Sequence, residues 1–157
     1  MSELYQRFIP EDIDTILTQD QIDRIKVLDW QGNPVDIMIP DGIRFADAGA
    51  YFESVNCPFC DSNLYKFTGP DGELVHWWQQ SMADAYAEGF FVDLNVTTPC
   101  CGKRTTLHDL NYKLNQGFFR FLVNVGPVSH ELDVNAVSEK LYEITQAKWR
   151  GIQAIKR

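Results

Sequence analysis

Hydrophobic and polar positions along this chain follow helical spacing in some stretches and strict alternation in others, and the switches between the two predict its elements. Pro10 stands where a first helical residue is favoured, and Ile13, Ile16 and Leu17 follow as a short apolar face. Thr18 and Gln21 have the spacing of a capping box, with Leu17 and Ile22 placed as its hydrophobic staple. Ile22, Ile25 and Leu28 then recur at helical spacing until Gly32-Asn33-Pro34 stops the helix. Val35, Ile37 and Ile39 alternate with Asp36 and Met38 as in a strand ending at Pro40-Asp41-Gly42, and residues 50–55 read as another strand.

Farther along, Leu64–Thr68 and Leu74–Trp77 flank the turn Thr68-Gly69-Pro70-Asp71-Gly72, which predicts a hairpin. A helix is expected over Gln79–Glu88, closed by Gly89. Val92, Leu94 and Val96 alternate with Asp93 and Asn95 as a strand. A last strand is expected over Phe118–Val125, with Phe119, Phe121, Val123 and Val125 on one face. Val137, Leu141, Ile144, Ile152 and Ile155 are read as the buried stripe of a closing amphipathic helix. The expected class is α+β: antiparallel strands with flanking helices. One domain over 1–157 is expected, with a helical, acidic part at 1–49, a strand-rich part at 50–126 and the closing helix at 127–157.

A chain of 157 residues, 45% apolar and 23% charged, can bury a core without disulfides, and it falls outside the disordered and fibrous classes. Its net charge of −8 argues against coating nucleic acid through an overall field. The charge is polarised. Residues 1–61 carry 12 acidic and 4 basic side chains, 62–137 carry 8 and 5, and 138–157 carry 2 and 5. Either the basic end lies on the acidic part of the same chain, or the acidic third faces a basic partner. Met1–Asp14 has no basic-then-apolar leader pattern, and no apolar run reaches the roughly 18 residues of a membrane helix. A cytoplasmic protein, with no membrane partner, is the expectation.

Four cysteines are too few for a disulfide scaffold but enough for one metal ion. Thiolates suit zinc, and two cysteines spaced by two residues on a tight turn can face one ion. Cys57-Pro58-Phe59-Cys60 is one such pair. Cys100 and Cys101 form a second, adjacent pair in Thr98-Pro99-Cys100-Cys101-Gly102. These two turns resemble the knuckles of zinc-ribbon proteins, where each commonly reads Cys-Pro-x-Cys-Gly. The resemblance covers about ten residues. It departs at Asp61, which replaces the glycine, and at Thr98, which occupies a first-ligand position so that only Cys101 is in register. It implies a structural zinc ion on Cys57, Cys60, Cys100 and Cys101, with His108 as the substitute for Cys100 and His76 as a further candidate ligand.

Other chemistries are less well supported by the residues. Cys57-Pro58-Phe59-Cys60 is also similar to the active-site motif of glutaredoxins, which implies a thiol-disulfide oxidoreductase using Cys57 and Cys60. That reading requires a helix after the motif, and Asp61-Ser62-Asn63 followed by the 68–72 turn leaves no room for one. Gly117-Phe118-Phe119-Arg120-Phe121 is out of register with the aromatic strand of RNA-recognition modules, and Lys103, Arg104, Lys113 and Arg120 leave only a small basic surface for nucleic acid. His76, His108 and His130 are scattered, and no nucleophile or phosphate-loop motif is present. Trp77 and Trp78 are read as core. The function expected is a non-enzymatic, zinc-stabilised module of adaptor or inhibitor type that binds another protein, a basic one in the version that uses residues 1–61. A nucleic-acid-binding zinc ribbon is the first alternative.

Overall fold

The computed structural model describes residues 2–49 and 54–156. In chain order its elements are β1 (Glu3–Pro10), α1 (Gln19–Lys26), β2 (Val35–Met38), β3 (Arg44–Ala46), β4 (Val55–Asn56), β5 (Phe67–Thr68), β6 (Leu74–Val75) and α2 (Trp77–Ala87). There follow β7 (Asn95–Thr97), β8 (Arg104–Thr106), a 3-10 turn at Leu107–Asp109, β9 (Asn111–Tyr112), a second such turn at Lys113–Asn115, β10 (Gly117–Phe119), β11 (Leu122–Val125), α3 (Val134–Thr145) and β12 (Trp149–Lys156). The class is α+β, with antiparallel pairing throughout the named sheets. The strand expected over 50–55 lies largely outside the described residues, and only its end appears, as β4.

One four-stranded sheet, in the order β12-β1-β11-β2, organises the chain ends. On one face lie α1 and α3, whose Ile22, Ile25, Val137 and Leu141 join Phe8, Val123 and Trp149 in a core. The capping box of α1 is present as expected. The Thr18 hydroxyl accepts from the Gln21 backbone N–H and the Gln21 side chain accepts from the Thr18 N–H. On the other face Ile9, Leu122 and Ile152 meet Ala46, Ala48 and Phe119. Beyond these, the remaining short strands and α2 surround a separate core of Val55, Cys57, Leu64, Leu107, Tyr112 and Phe118. Trp77 and Trp78 pack against that core as expected, and the Trp78 indole N–H donates to the Tyr112 hydroxyl at 3.1 Å.

Four sequence expectations are corrected. Pro10 ends β1 instead of opening a helix; as the terminal residue of a strand it needs no ladder N–H. The strand expected over 118–125 breaks at exposed Arg120, so that Phe119 joins the core opposite to Phe121, Val123 and Val125. The strand expected over 92–96 starts only at Asn95, after Phe90 and Phe91 at positive φ. The closing helix stops at Thr145, where Gln146 adopts a left-handed φ of 59°, and Ile152 and Ile155 lie on β12. That strand runs antiparallel to β1 over eight residues, so the basic end of the chain does lie on the acidic start, as a strand. Arg150 pairs with Glu11 at 3.0 Å, and the Lys156 ammonium sits over the Tyr5 ring.

Arg150 also fastens the sheet to the short-stranded part. Its guanidinium donates to the carbonyls of Gln116 at 3.0 Å and His108 at 3.3 Å. His108 is buried, with Nε2 at 2.7 Å from the Glu11 carbonyl and Nδ1 accepting the Phe118 N–H at 2.9 Å. The Nε2 atom therefore carries the proton and the ring is neutral. A Cβ at position 117 would press on the Arg150 guanidinium and the His108 ring, which glycine avoids.

Burial, and secondarily the Arg150 charge, lower the His108 pKa below 6.5. A second proton would face the Phe118 N–H. The unfolded chain accepts a proton near 6.5 and the folded one only below it, so this contribution to stability is complete above that pH and is lost as pH falls through and below it. Urea unfolding is expected to show a loss of stability from pH 7 to pH 5, with NMR recording a neutral Nε2–H tautomer at pH 6 in the folded protein. A charged His108 at pH 7 would contradict this.

Candidate metal centre

Two turns of the same construction carry the four cysteines. In the first, the Cys57 N–H donates to the Ser62 carbonyl at 2.9 Å and the Asp61 N–H returns to the Cys57 carbonyl at 2.9 Å. In the second, the Thr98 N–H donates to the Lys103 carbonyl at 2.9 Å and the Gly102 N–H returns to the Thr98 carbonyl at 3.0 Å. Asp61 and Gly102 fill the same left-handed position, with φ of 62° and 69°. Glycine takes that conformation without strain. Aspartate is among the few other residues that tolerate it, and here Asn56 Nδ2 holds both the Asp61 carbonyl and its carboxylate.

This equivalence places Thr98 where the first turn has Cys57, as the sequence register requires. Its hydroxyl lies 3.3 Å from the Cys101 sulfur, while the Lys103 N–H donates to that hydroxyl at 3.2 Å. Cys101 matches Cys60. Cys100 matches Phe59, whose ring is half-exposed with the Lys103 ammonium 5.1 Å from its centre. From this out-of-register position Cys100 still reaches 3.3 Å from the Cys60 sulfur and 3.9 Å from that of Cys101. Cys57 and Cys101 are 3.8 Å apart, and all four sulfurs lie within 4.8 Å of one another.

Those separations suit a metal. Four sulfurs at about 2.3 Å from one tetrahedral centre stand roughly 3.8 Å apart, so the four cysteines are positioned to bind one ion. Cys57 is buried in the core of the short-stranded part, Cys100 is intermediate, and Cys60 and Cys101 are exposed. The Phe59 N–H points at the Cys57 sulfur at 3.4 Å. The expectation that His108 substitutes for Cys100 is corrected, because both its ring nitrogens are committed to the backbone of Glu11 and Phe118. His76 is exposed at the start of α2, and it too is outside the group of converging ligands.

The helix required by an oxidoreductase is missing at this position: after Cys60 the chain turns back to pair at Asn63, and α2 begins only at Trp77. Sequence reading missed the role of Ser62, whose hydroxyl lies 3.2 Å from the Cys60 sulfur. The neighbouring Asp61-Ser62 offers no spacing signal for such a contact. Among the described residues no helix is long and apolar enough to cross a membrane. No protein-family model matches the chain, and comparison with curated proteins and with solved structures found no match.

Without metal, Cys60, Cys100 and Cys101 differ. The Ser62 hydroxyl and then its backbone N–H lower the Cys60 pKa to about 6. Burial raises that of Cys100 to about 12, reinforced by its thiol donating to the neighbouring sulfurs. The Thr98 hydroxyl lowers that of Cys101. Iodoacetamide labelling of metal-free protein, read by peptide mass spectrometry at pH 7, is therefore expected to modify exposed Cys60 well before Cys100. In Ser62→Ala the pH midpoint for Cys60 should move up toward 9.0; an unmoved midpoint would remove the assigned cause.

Proposed function

We propose that this chain holds one structural zinc ion on Cys57, Cys60, Cys100 and Cys101, in the manner of a zinc ribbon, and works as a non-enzymatic protein-interaction module. The convergence of four sulfurs from two matched turns carries the reading. Thiolate-only donor sets favour zinc over calcium or magnesium, which take oxygen ligands. Four protein ligands fill a tetrahedral shell and leave no position for water or substrate, so the ion serves the fold. An interaction role follows from the acidity that internal pairing leaves over. Arg150 neutralises Glu11, whereas Asp12, Asp14, Asp20, Asp23 and Asp29 remain exposed at the surface and favour a basic partner.

Structural zinc supplies on the order of 10 kcal/mol of apparent folding free energy. Protein purified without added metal is expected to contain one zinc per chain by elemental analysis. A strong chelator should then release it, expose four titratable thiols and selectively speed amide exchange over residues 54–112. Protein that contains no zinc and shows four free thiols from the outset would overturn the proposal.

A further inference from the structure

We propose that the seam between the four-stranded sheet and the cysteine-bearing part is a docking groove for an extended, basic segment of a partner protein. Two hollows, of about 1220 Å³ and 820 Å³, open along this seam and share Glu11, Asp109 and Lys148 in their walls. Together they exceed the roughly 300–1,000 Å³ of a small-molecule pocket and run on from one another, a shape suited to a chain rather than a compact ligand.

The walls state the charge of the occupant. In the larger hollow, Glu139 and Glu143 stand four apart on the exposed side of α3, beside half-exposed Tyr142. In the smaller, Asp12 and Asp14 lie on the loop after β1. Asp109 belongs to both, held by the Thr106 hydroxyl at 2.8 Å. Among the described residues none of these five carboxylates makes an ion pair, whereas Glu11 is already matched by Arg150. Among the described residues, Lys148 and Arg120 are the cations of these walls that make no ion pair. The surplus is negative at both ends of the groove, while Asp109 and Lys148 balance at its centre, so lysine or arginine side chains near the two ends of one extended strand would each find a carboxylate, with the Tyr142 ring available to a cation. A phosphate backbone would meet repulsion along the same path.

The inference rests on the interaction role proposed above, but not on the zinc ion. It is tested on the intact, metal-replete protein by fluorescence anisotropy with a labelled twelve-residue peptide alternating lysine with glycine. The acidic counterpart, with glutamate for lysine, and a single-stranded RNA serve as competing probes. The lysine peptide is expected to bind at low salt and to be released at about 0.5 M salt. Glu139→Lys with Glu143→Lys, or Asp12→Asn with Asp14→Asn, should weaken it by about tenfold or more, while Asp84→Lys with Glu88→Lys, exposed at the end of α2 and outside both hollows, should leave binding within about twofold. Equal losses from the α2 pair, no binding of the lysine peptide, or preferential binding of the acidic peptide or the RNA would each overturn the groove. Zinc content and circular dichroism recorded on every variant keep the readings apart: loss of metal bears on the zinc site alone, and loss of peptide binding by folded, zinc-loaded variants bears on the groove.

Discussion

The cysteine-bearing part of this molecule depends on four sulfur atoms being held together. Around them the strands are two or three residues long: β4 with β9, β5 with β6, β7 with β8. Pairs that short do not persist in water on their own hydrogen bonds. What holds them is the core of Val55, Leu64, Leu107 and Phe118, together with the two turns that meet at the cysteines. Four thiolates at these separations repel one another, and protonated thiols make only weak hydrogen bonds. A cation shared among them would turn that repulsion into attraction and restrain both turns at once. Thr98 shows how closely the two turns were matched to this end, since its hydroxyl keeps the backbone pattern of a ligand residue while the neighbouring Cys100 supplies the sulfur.

A second constraint joins this part to the sheet. Irregular chain leaves backbone groups unpaired, and buried amide and imidazole side chains satisfy them here. Gln6 binds both the N–H and the carbonyl of Leu132, Asn33 binds Ser129 and His130, and Gln116 accepts from Ala48. His108 does the same between Glu11 and Phe118. Each spans a long stretch of sequence, so each ties a loop to an element that is distant in the chain. The cost of burying such polar groups is recovered only if every one of them is paired, which is why His108 belongs to the packing and not to the metal centre.

What was legible in the sequence was local. The Thr18–Gln21 capping box, the 68–72 turn with its hairpin, α2 and the two cysteine turns all follow from short-range stereochemistry, and even the displaced register at Thr98 could be read from the spacing of proline and glycine. Features set by distant partners were not. In β1 the buried face includes Gln6, whose partner is 126 residues away, so the strand lacks a clean apolar alternation. Ile152 and Ile155 continue the helical stripe of Leu141 and Ile144, and the break between them is made by Gln146 in a left-handed conformation that glycine or asparagine would have announced. Phe119 and Phe121 share a parity along the chain, but the bend at Arg120 sends them to opposite sides of the sheet.

Metal site and groove are linked by one uninterrupted segment. From Gly102, β8 runs to Thr106, the next turn carries His108 and Asp109, and Asp109 stands at the centre of the seam. Thr106 holds the Asp109 carboxylate while the Leu107 N–H donates to the Leu94 carbonyl, so the position of this acidic wall is inherited from the β7–β8 hairpin. The opposite wall descends from α3 and the loop after β1, fixed to the same turn through Glu11, Arg150 and His108. His108, next to Asp109, is thereby held from the sheet side as well as from the hairpin. The turn that carries Asp109 therefore keeps its place by two sets of contacts, one to the β7–β8 hairpin and one to the sheet, and the spacing of the carboxylates along the seam follows from the sheet as much as from the cysteine turns.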